Sequence, residues 1–536
     1  MDWLPLPRKA EISAERLPFA GCHAIKTPVG WEPAVAPLRA LGEAFGGWTA
    51  FVEHDPNLPR EGYRLTVENA RITLRAESPR AAFYACHTLL QAWDGKAIPI
   101  MTVDDYPSLA WRGVVEGFYG IPWSHAARLR MLEFMGAHKM NIYLYAPKDD
   151  PYHRERWREP YPPADAQRLG ELIRHAASQF IEFVFCISPG LSMVYSDPAE
   201  FERLVAKIEA VRQMGVRSFG LLVDDIPEEL QHAADKQAYH SLAHAHADLA
   251  NRLNRWLKER DPNSWLILCP TFYHNLGEPP YVKELGERVE AGISIMWTGA
   301  KVVSRTITHE DAELFKLAIR RKPFVWDNYP VNDYETSRLL MGPITGRDAE
   351  TLKHLEALVS NPMNQAEASK VALGTYADFL WNAEAYDPHR SWRVSIAHLV
   401  GEDAAPVMLE FCQQNLWTRH WKEEPPAIER AIEEWQTTGD NDALREAFYQ
   451  LYTLPRRLRQ AVHDTTLLEE IEPWLWRLEQ ITALALELLD QIDEDNLQPR
   501  QILSRLEAIR ETNEAVVCDG WIERWIRETI EELVEG

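Results

Sequence analysis

Arg112-Gly-Val-Val-Glu-Gly-Phe-Tyr-Gly-Ile-Pro-Trp123 begins as a short apolar strand and ends in a glycine-punctuated turn. In a doubly wound open sheet, this first turn would carry G-x-G-x-x-G, so that the backbone could approach a phosphate. The turn from Glu116 to Trp123 lacks that spacing. Apolar runs then recur at 112–118, 140–147, 181–189, 218–225, 265–271, 293–298, 323–328 and 356–361. Amphipathic helical patterns lie between them, for example at 165–179, 198–214 and 236–259. Eight strand–helix repeats in about 275 residues have the size and rhythm of a (β/α)8 barrel.

Outside this core the pattern changes on both sides. Residues 62–76 read as two alternating strands around Glu68-Asn69-Ala70, a hairpin signal. Pro79 opens a helix to about Trp93, and Pro37 to Phe45 reads as another short helix. From about 390 onward only helical spacing is found, at 404–416, 426–437, 441–464, 473–493, 497–512 and 520–534. Trp474, Leu475, Leu478 and Ile481 share one helix face and read as core. The expected fold is α/β: a (β/α)8 TIM barrel catalytic domain at 106–388, an N-terminal α+β domain at 1–105 and an all-helical C-terminal domain at 389–536.

Composition narrows the partners. Of 536 residues, 57 are Lys or Arg and 81 are Asp or Glu, a net charge of −24. That excess argues against nucleic acid or an anionic membrane as the main partner. No stretch is apolar for long enough to read as a membrane span. The first residues lack a charged and then apolar leader, and the six cysteines are scattered without C-x-x-C. A reduced, cytoplasmic protein is expected, monomer or homodimer.

Barrel enzymes work at the C-terminal ends of their strands. Those ends gather Glu116, Gly117 and Tyr119; Lys148, Asp149, Asp150, His153 and Arg154; Asp224 and Asp225; Cys269 and Tyr273; Trp297; Trp326, Asn328 and Asp333; and Asn361. Asp224 and Asp225 close the run Ser218-Phe-Gly-Leu-Leu-Val-Asp-Asp-Ile226. Two acids in one pocket split their pKa values, so one can stay protonated near neutral pH. The plainer reading is a helix start at Asp225, followed by Pro227 and two glutamates.

Aromatic rings beside acids, amides and a lysine suit a sugar, which offers C–H faces and hydroxyls. Phosphate would call for more arginine and a glycine cradle. Asp149, Asp150 and His153 could ligate a cation, and His240 and His244 share a helix face, but H-E-x-x-H and the EF-hand pattern are absent. No metal and no cofactor are expected. Hydrolysis by two carboxylates sets them about 5–9.5 Å apart across the bond. Adjacent acids leave one backbone point. They fit a reaction in which a 2-acetamido group supplies the nucleophile, one acid orients its N–H and the other protonates the leaving oxygen.

Four motifs then carry a likeness: Gly113–Trp123, Tyr143–Arg154, Val223–Ile226 and Trp326–Tyr334 together resemble glycoside hydrolase family 84, which holds β-N-acetylglucosaminidases and protein O-GlcNAcases. The resemblance implies a retaining enzyme that removes terminal β-linked GlcNAc from protein, peptide or glycan through an oxazoline. It implies that Asp224 orients the acetamido N–H and that Asp225 is the acid and then the base. Tyr273 and Asn328 would hold the acetamido group, and Cys269, Tyr273 and Trp326 would wall its methyl. Asp333 would bind O4 and O6, and Gly117, Lys148 and Asn361 would meet O3 and its neighbours. Tyr119 and Trp297 would stand just behind. Taken singly, Trp297 and Trp326 have a plainer reading as barrel-top packing, Lys148 as a structural ion pair and Cys269 as a small buried hydrophobe. Rival functions are a silent GlcNAc-binding scaffold, a hyaluronan-cleaving enzyme and a metal-dependent hydrolase.

Overall fold

The chain begins with six strands, β1 (Lys9–Pro18), β2 (Ala24–Lys26), β3 (Thr49–His54), β4 (Tyr63–Glu68), β5 (Arg71–Ala76) and β6 (Ala97–Asp105). In this computed structural model, which describes residues 2–41, 47–416 and 427–535, they pair in the order β1-β6-β4-β5-β3-β2. The expected hairpin is β4–β5. Its register sets Glu68 opposite Arg71, leaving Asn69 and Ala70 as a two-residue turn, both with positive φ (46° and 57°). That geometry matches the twist of the flanking strands. The helix Pro79–Ala92 is capped by Ser78, whose Oγ accepts from the Ala81 N–H at 3.3 Å. Of the helix expected at 37–45, Ala36–Arg39 is formed, and 42–46 lies outside the described residues.

The next eight strands close a barrel, every neighbouring pair parallel. They are β7 (Trp111–Glu116), β8 (Ile142–Tyr145), β9 (Glu182–Ile187), β10 (Ser218–Leu222), β11 (Trp265–Cys269), β12 (Ile293–Trp297), β13 (Phe324–Asp327) and β14 (Ala357–Ser360). Each falls inside or within a residue of its apolar run. Inward-pointing Val115, Ile142, Leu144, Val184, Cys186, Leu222, Ile267, Met296, Phe324 and Val359 fill the interior as one buried cluster. Gly220 meets β9 so closely that a Cβ there would lie 2.5 Å from Cys186 Sγ. The pattern at 236–259 resolves into two helices, Ala233–Ala238 and Leu242–Arg260; Ser241 caps the second through the His244 N–H at 3.0 Å.

Chain contacts define two compact units: one comprises the chain to Asn328, Gly346–Pro362 and Gly374–Asp387, and the other Tyr329–Thr345, Met363–Leu373 and the chain from Pro388. Within the first, Asp105 ties sheet to barrel. Its buried carboxylate accepts from Tyr63 Oη (2.5 Å), Lys139 Nζ (2.9 Å), Trp381 Nε1 (2.8 Å) and the Arg8 N–H (3.0 Å). Lys139 is itself buried, and burial outweighs Asp105 in setting its pKa, which lies below the ordinary ammonium value.

The regular elements of the second unit are helices among the described residues, and its stretch Tyr329–Thr345 forms none. The stretch after β13 belongs to it through Met341 N–H to Asn415 O (3.2 Å), Val516 N–H to Ser337 O (2.8 Å) and Trp392 Nε1 to Met341 O (2.7 Å). The helix expected at 473–493 starts earlier, at Thr465, where Asp464 caps the N–H groups of Thr466 and Leu467; Pro473 lies inside it. Trp474, Leu475, Leu478 and Ile481 are buried on its inner face, as expected. Residue 426, the first of another expected helix, is outside the described residues, and Ala427–Thr438 is formed. All six cysteines are buried and free. Among the described residues no helix is long and apolar enough to cross a membrane.

Candidate active site

The C-terminal mouth of the barrel is assembled from loops that start at strand ends. β10 stops at Leu222, and its continuation is pinned by Val223, whose N–H donates to Cys269 O (2.9 Å) and whose carbonyl accepts from Thr271 Oγ1 (2.6 Å). Asp224 and Asp225 follow. They part at once: Asp224 is 4% exposed, whereas Asp225 is exposed and sits in the left-handed region with φ 49°. No helix starts there, since regular structure resumes only at Ala233, and the cap reading of Asp225 is overturned.

Asp224 Oδ2 accepts from the buried Lys148 ammonium. Asp224 Oδ1 is buried and has no hydrogen-bond partner among the described residues. An acceptor left open in a dry site is costly and points toward a donor still to come. Burial disfavours charge on Lys148, but Asp224, Tyr119 and Asp225 outweigh it and hold its pKa above the ordinary value.

Asp225 is gripped by hydroxyls. Oδ2 accepts from Tyr119 Oη at 2.7 Å and Oδ1 from Tyr273 Oη at 2.9 Å. Arg154 donates from Nη1 to Tyr119 Oη and from Nη2 to the Asp225 carbonyl, both at 3.0 Å. Loss of water works to raise the Asp225 pKa. Lys148, the two tyrosine hydroxyls and Arg154 outweigh it, so the carboxyl lies below the ordinary range. Adjacency to Asp224 therefore does not keep Asp225 protonated here. The expectation of a raised acid fails for this residue because two cations and two donors surround it.

A second chain of contacts runs along β13, β14 and β7. Trp326 Nε1 donates to Asn328 Oδ1 (3.0 Å), which also accepts from Asn361 Nδ2 (2.9 Å); Asn361 Oδ1 accepts from the Gly117 N–H (3.3 Å). Asn328 Nδ2 donates to Val302 O at 2.8 Å. Gly117 lies against the indole: a Cβ there would sit 2.1 Å from Trp326 Cζ2. Lys148 links the two groups, its Nζ 5.8 Å from the Tyr119 ring and 5.7 Å from that of Trp326.

Gly117, Tyr119, Lys148, Asp224, Asp225, Tyr273, Trp326, Asn328 and Asn361 are thus brought together. Cys269 belongs to the barrel's interior cluster with Trp326, and Tyr273 packs against it. Trp297 turns away: it is fully buried, donates to Asn275 O (2.8 Å) and stacks on Phe315 with centroids 5.1 Å apart. Asp333 is half-buried in the second unit. The residues weighed as cation ligands hold loops instead. Asp150 accepts from Tyr145 Oη, Tyr161 Oη and the Tyr152 N–H, each at 2.8 Å. Asp149 takes the Gly120 N–H at 3.0 Å, and His153 Nδ1 lies 2.8 Å from Cys186 O. Burial pushes the His153 pKa down to about 4. Among the described residues no group of three or more His, Cys, Asp or Glu is placed to hold a metal. Arg154 and Thr271 close the site without having been assigned from the sequence, although Arg154 ends one of the quoted motifs.

The sequence matches the profile of the beta-N-acetylglucosaminidase family over residues 112–413. The chain belongs to that family of glycoside hydrolases. Residues 4–106 match domain 2 of glycosyl hydrolase family 20. The mouse (Mus musculus) protein O-GlcNAcase is 42% identical over 270 residues, 49% of this chain and 29% of the mouse protein; the chain thus spans under a third of that relative. Among solved structures, CpGH84B superposes with a TM-score of 0.86 at 27% identity, covering 98% of this chain and 99% of the other. A mutant of the Thermobaculum terrenum O-GlcNAc hydrolase gives 0.73 at 35% identity, covering 80% and 97%. The family 84 resemblance and the barrel read from the motifs are both met.

Proposed function

We propose that this family member is a retaining exo-β-N-acetylglucosaminidase that removes terminal β-linked GlcNAc, O-GlcNAc on protein among its substrates, by participation of the 2-acetamido group. The observation that carries this reading is the asymmetry of the acid pair. Asp224 has one oxygen fixed by Lys148 and the other open and buried; Asp225 is exposed, as an acid serving a leaving group must be.

In this reading the acetamido N–H donates to Asp224 Oδ1, and the carbonyl oxygen attacks C1. The C1–O bond to the aglycone breaks as Asp225 gives its proton to the departing oxygen. Water then attacks C1 of the oxazoline while Asp225 takes the water's proton, and the acetamido group is restored. Asp225 must be protonated for the first step. A bound sugar would strip water from the carboxylate and draw Tyr273 Oη toward the acetamido oxygen, and both changes raise its pKa. Trp326 and Cys269 wall the methyl pocket. Asn328 would add a donor on leaving the Val302 carbonyl, and Asn361, Gly117 and Lys148 would meet ring hydroxyls. Trp297 packs behind the site against Phe315 and meets no part of the sugar. No resident metal or cofactor enters this scheme, and the division at 105 and 388 is kept as its working domain plan.

The test is turnover of a chromogenic β-GlcNAc glycoside by the purified chain, beside the matching plain β-glucoside. Release from the first with anomeric retention, and very little from the second, is expected. Equal cleavage of both would rule out acetamido participation, and binding without turnover would favour the silent scaffold. Rates on O-GlcNAc peptide against chitobiose then rank the aglycones.

A further inference from the structure

We propose that Arg154 is a positioning residue that holds Asp225 in its proton-donating pose, acting at once on the Asp225 carbonyl and, through Tyr119, on its carboxylate; this rests on reading Asp225 as the acid. A non-glycine residue at φ 49° keeps that conformation only when its surroundings over-determine it. The contacts of Val223 to Cys269 and Thr271 fix the chain two residues earlier. At Asp225 itself, the carbonyl is bound by Arg154 Nη2 at 3.0 Å. The other arm of the same planar fork, Nη1, donates at 3.0 Å to Tyr119 Oη, whose own proton goes to Asp225 Oδ2 at 2.7 Å. The contacts form a closed ring from the Asp225 backbone through Arg154 and Tyr119 to the Asp225 side chain. The guanidinium also stands 5.6 Å from the Tyr119 ring centroid. A lysine carries the charge but has no fork to span two acceptors.

Several charged or titratable groups face Asp225. Tyr119 comes from the loop after β7, Lys148 and Arg154 from the loop after β8, Cys269 and Tyr273 from the end of β11, and Asp224 is its neighbour. Lys148 is committed to Asp224. Arg154 is therefore the cation that binds the Asp225 residue directly, and its loss acts on Asp225 in two ways. The carboxylate is less well placed, and the charge favouring its ionised form is gone, so its pKa rises.

The experiment compares the full chain with Arg154→Met and Arg154→Lys on aryl β-N-acetylglucosaminides of graded leaving-group ability. Arg154→Met is expected to lose roughly 10–100-fold in kcat on poor leaving groups and less on good ones, with KM little changed. The falling limb of its kcat/KM profile should move to higher pH. Arg154→Lys should return that limb toward wild type while leaving kcat reduced. A uniform loss over all leaving groups with an unmoved limb would overturn the proposal, as would wild-type behaviour of Arg154→Met. If Arg154→Met does not fold, Arg154→Gln carries the same test. Should the wild-type chain itself turn over nothing, the glycosidase reading is what fails, and the acid-positioning role falls with it.

Discussion

Two strand ends of the same barrel each deliver buried carboxylate, and they are treated in opposite ways. At the end of β7, Glu116 is saturated: Arg128 Nε and Nη2 each donate at 2.8 Å, the Trp123 N–H at 3.2 Å, and Tyr143 Oη completes the set. At the end of β10, Asp224 has Lys148 on one oxygen and nothing on the other among the described residues. Both are acids beside a cation at the active end of a barrel, so residue type and position alone would rank them equally. Saturation separates them. A carboxylate with every lone pair used holds the fold together, and one kept half-open is available to a ligand.

The largest effects should come from the open end. Asp225→Asn should lower kcat/KM by roughly 10²–10⁴-fold, least for good leaving groups. Asp224→Asn should cost a similar factor whatever the leaving group, since in the proposed mechanism it acts on the acetamide. Steady-state rates over a leaving-group series check both, and an Asp224→Asn enzyme with wild-type rates would erase the contrast with Glu116. The closed end should respond in stability instead. Glu116→Gln leaves Arg128 without its counter-charge and should cost roughly 3 kcal/mol of folding free energy, read by urea unfolding, with a much smaller change in kcat. A stable Glu116→Gln protein with collapsed kcat would break the comparison from the other side. Smaller again, Gly117→Ala forces a methyl into the Trp326 ring and should cost roughly 1–3 kcal/mol together with a raised KM, measured by melting and kinetics.

The finest effect is in pH. In the proposed mechanism the acid acts in its protonated form, so rate should fall as pH rises through the Asp225 pKa. That pKa is depressed in the unliganded protein, and a bound sugar should raise it. The falling limb of kcat should therefore lie at higher pH than that of kcat/KM, and coincident limbs would mean that the sugar leaves the carboxyl environment unchanged. The same carboxyl also affects stability. Its folded-state pKa is lowered, so it stabilises the fold above the unfolded pKa, and this contribution is lost as pH falls through the folded value. The stability gap between wild type and Asp225→Asn should shrink on acidification, as melting temperatures would show.

The barrel was legible because strands buried on both faces leave apolar runs of the right length and number. The residues at their ends could then be named, and most of them do converge. What escaped was direction. Nothing in Val-Asp-Asp-Ile says that Asp225 turns left-handed, because that conformation is imposed by partners distant in sequence, namely Arg154, Tyr119 and Tyr273. Trp297, expected to stand just behind the site, turns its ring to Phe315 and Asn275, as the packing reading has it. The helix from Thr465 runs through Pro473, a residue that reads as a helix start, because Asp464 offers a cap nine residues upstream. The stretch 329–345 has strand-end residues but shares its hydrogen bonds with the second unit, a long-range choice that local spacing does not carry.

The carboxylate of Asp105 sets a limit on how this chain can be divided. It collects donors from four separated segments, at residues 8, 63, 139 and 381, and only the last two belong to the barrel. A barrel cut free at residue 106 would keep Lys139 and lose both groups its ammonium bonds directly, the Asp105 carboxylate and the Tyr63 hydroxyl. The sheet that precedes the barrel therefore supplies the acid that pairs with a buried lysine of the barrel. Any minimal catalytic fragment would have to carry it, or replace Lys139 with an apolar residue of similar size.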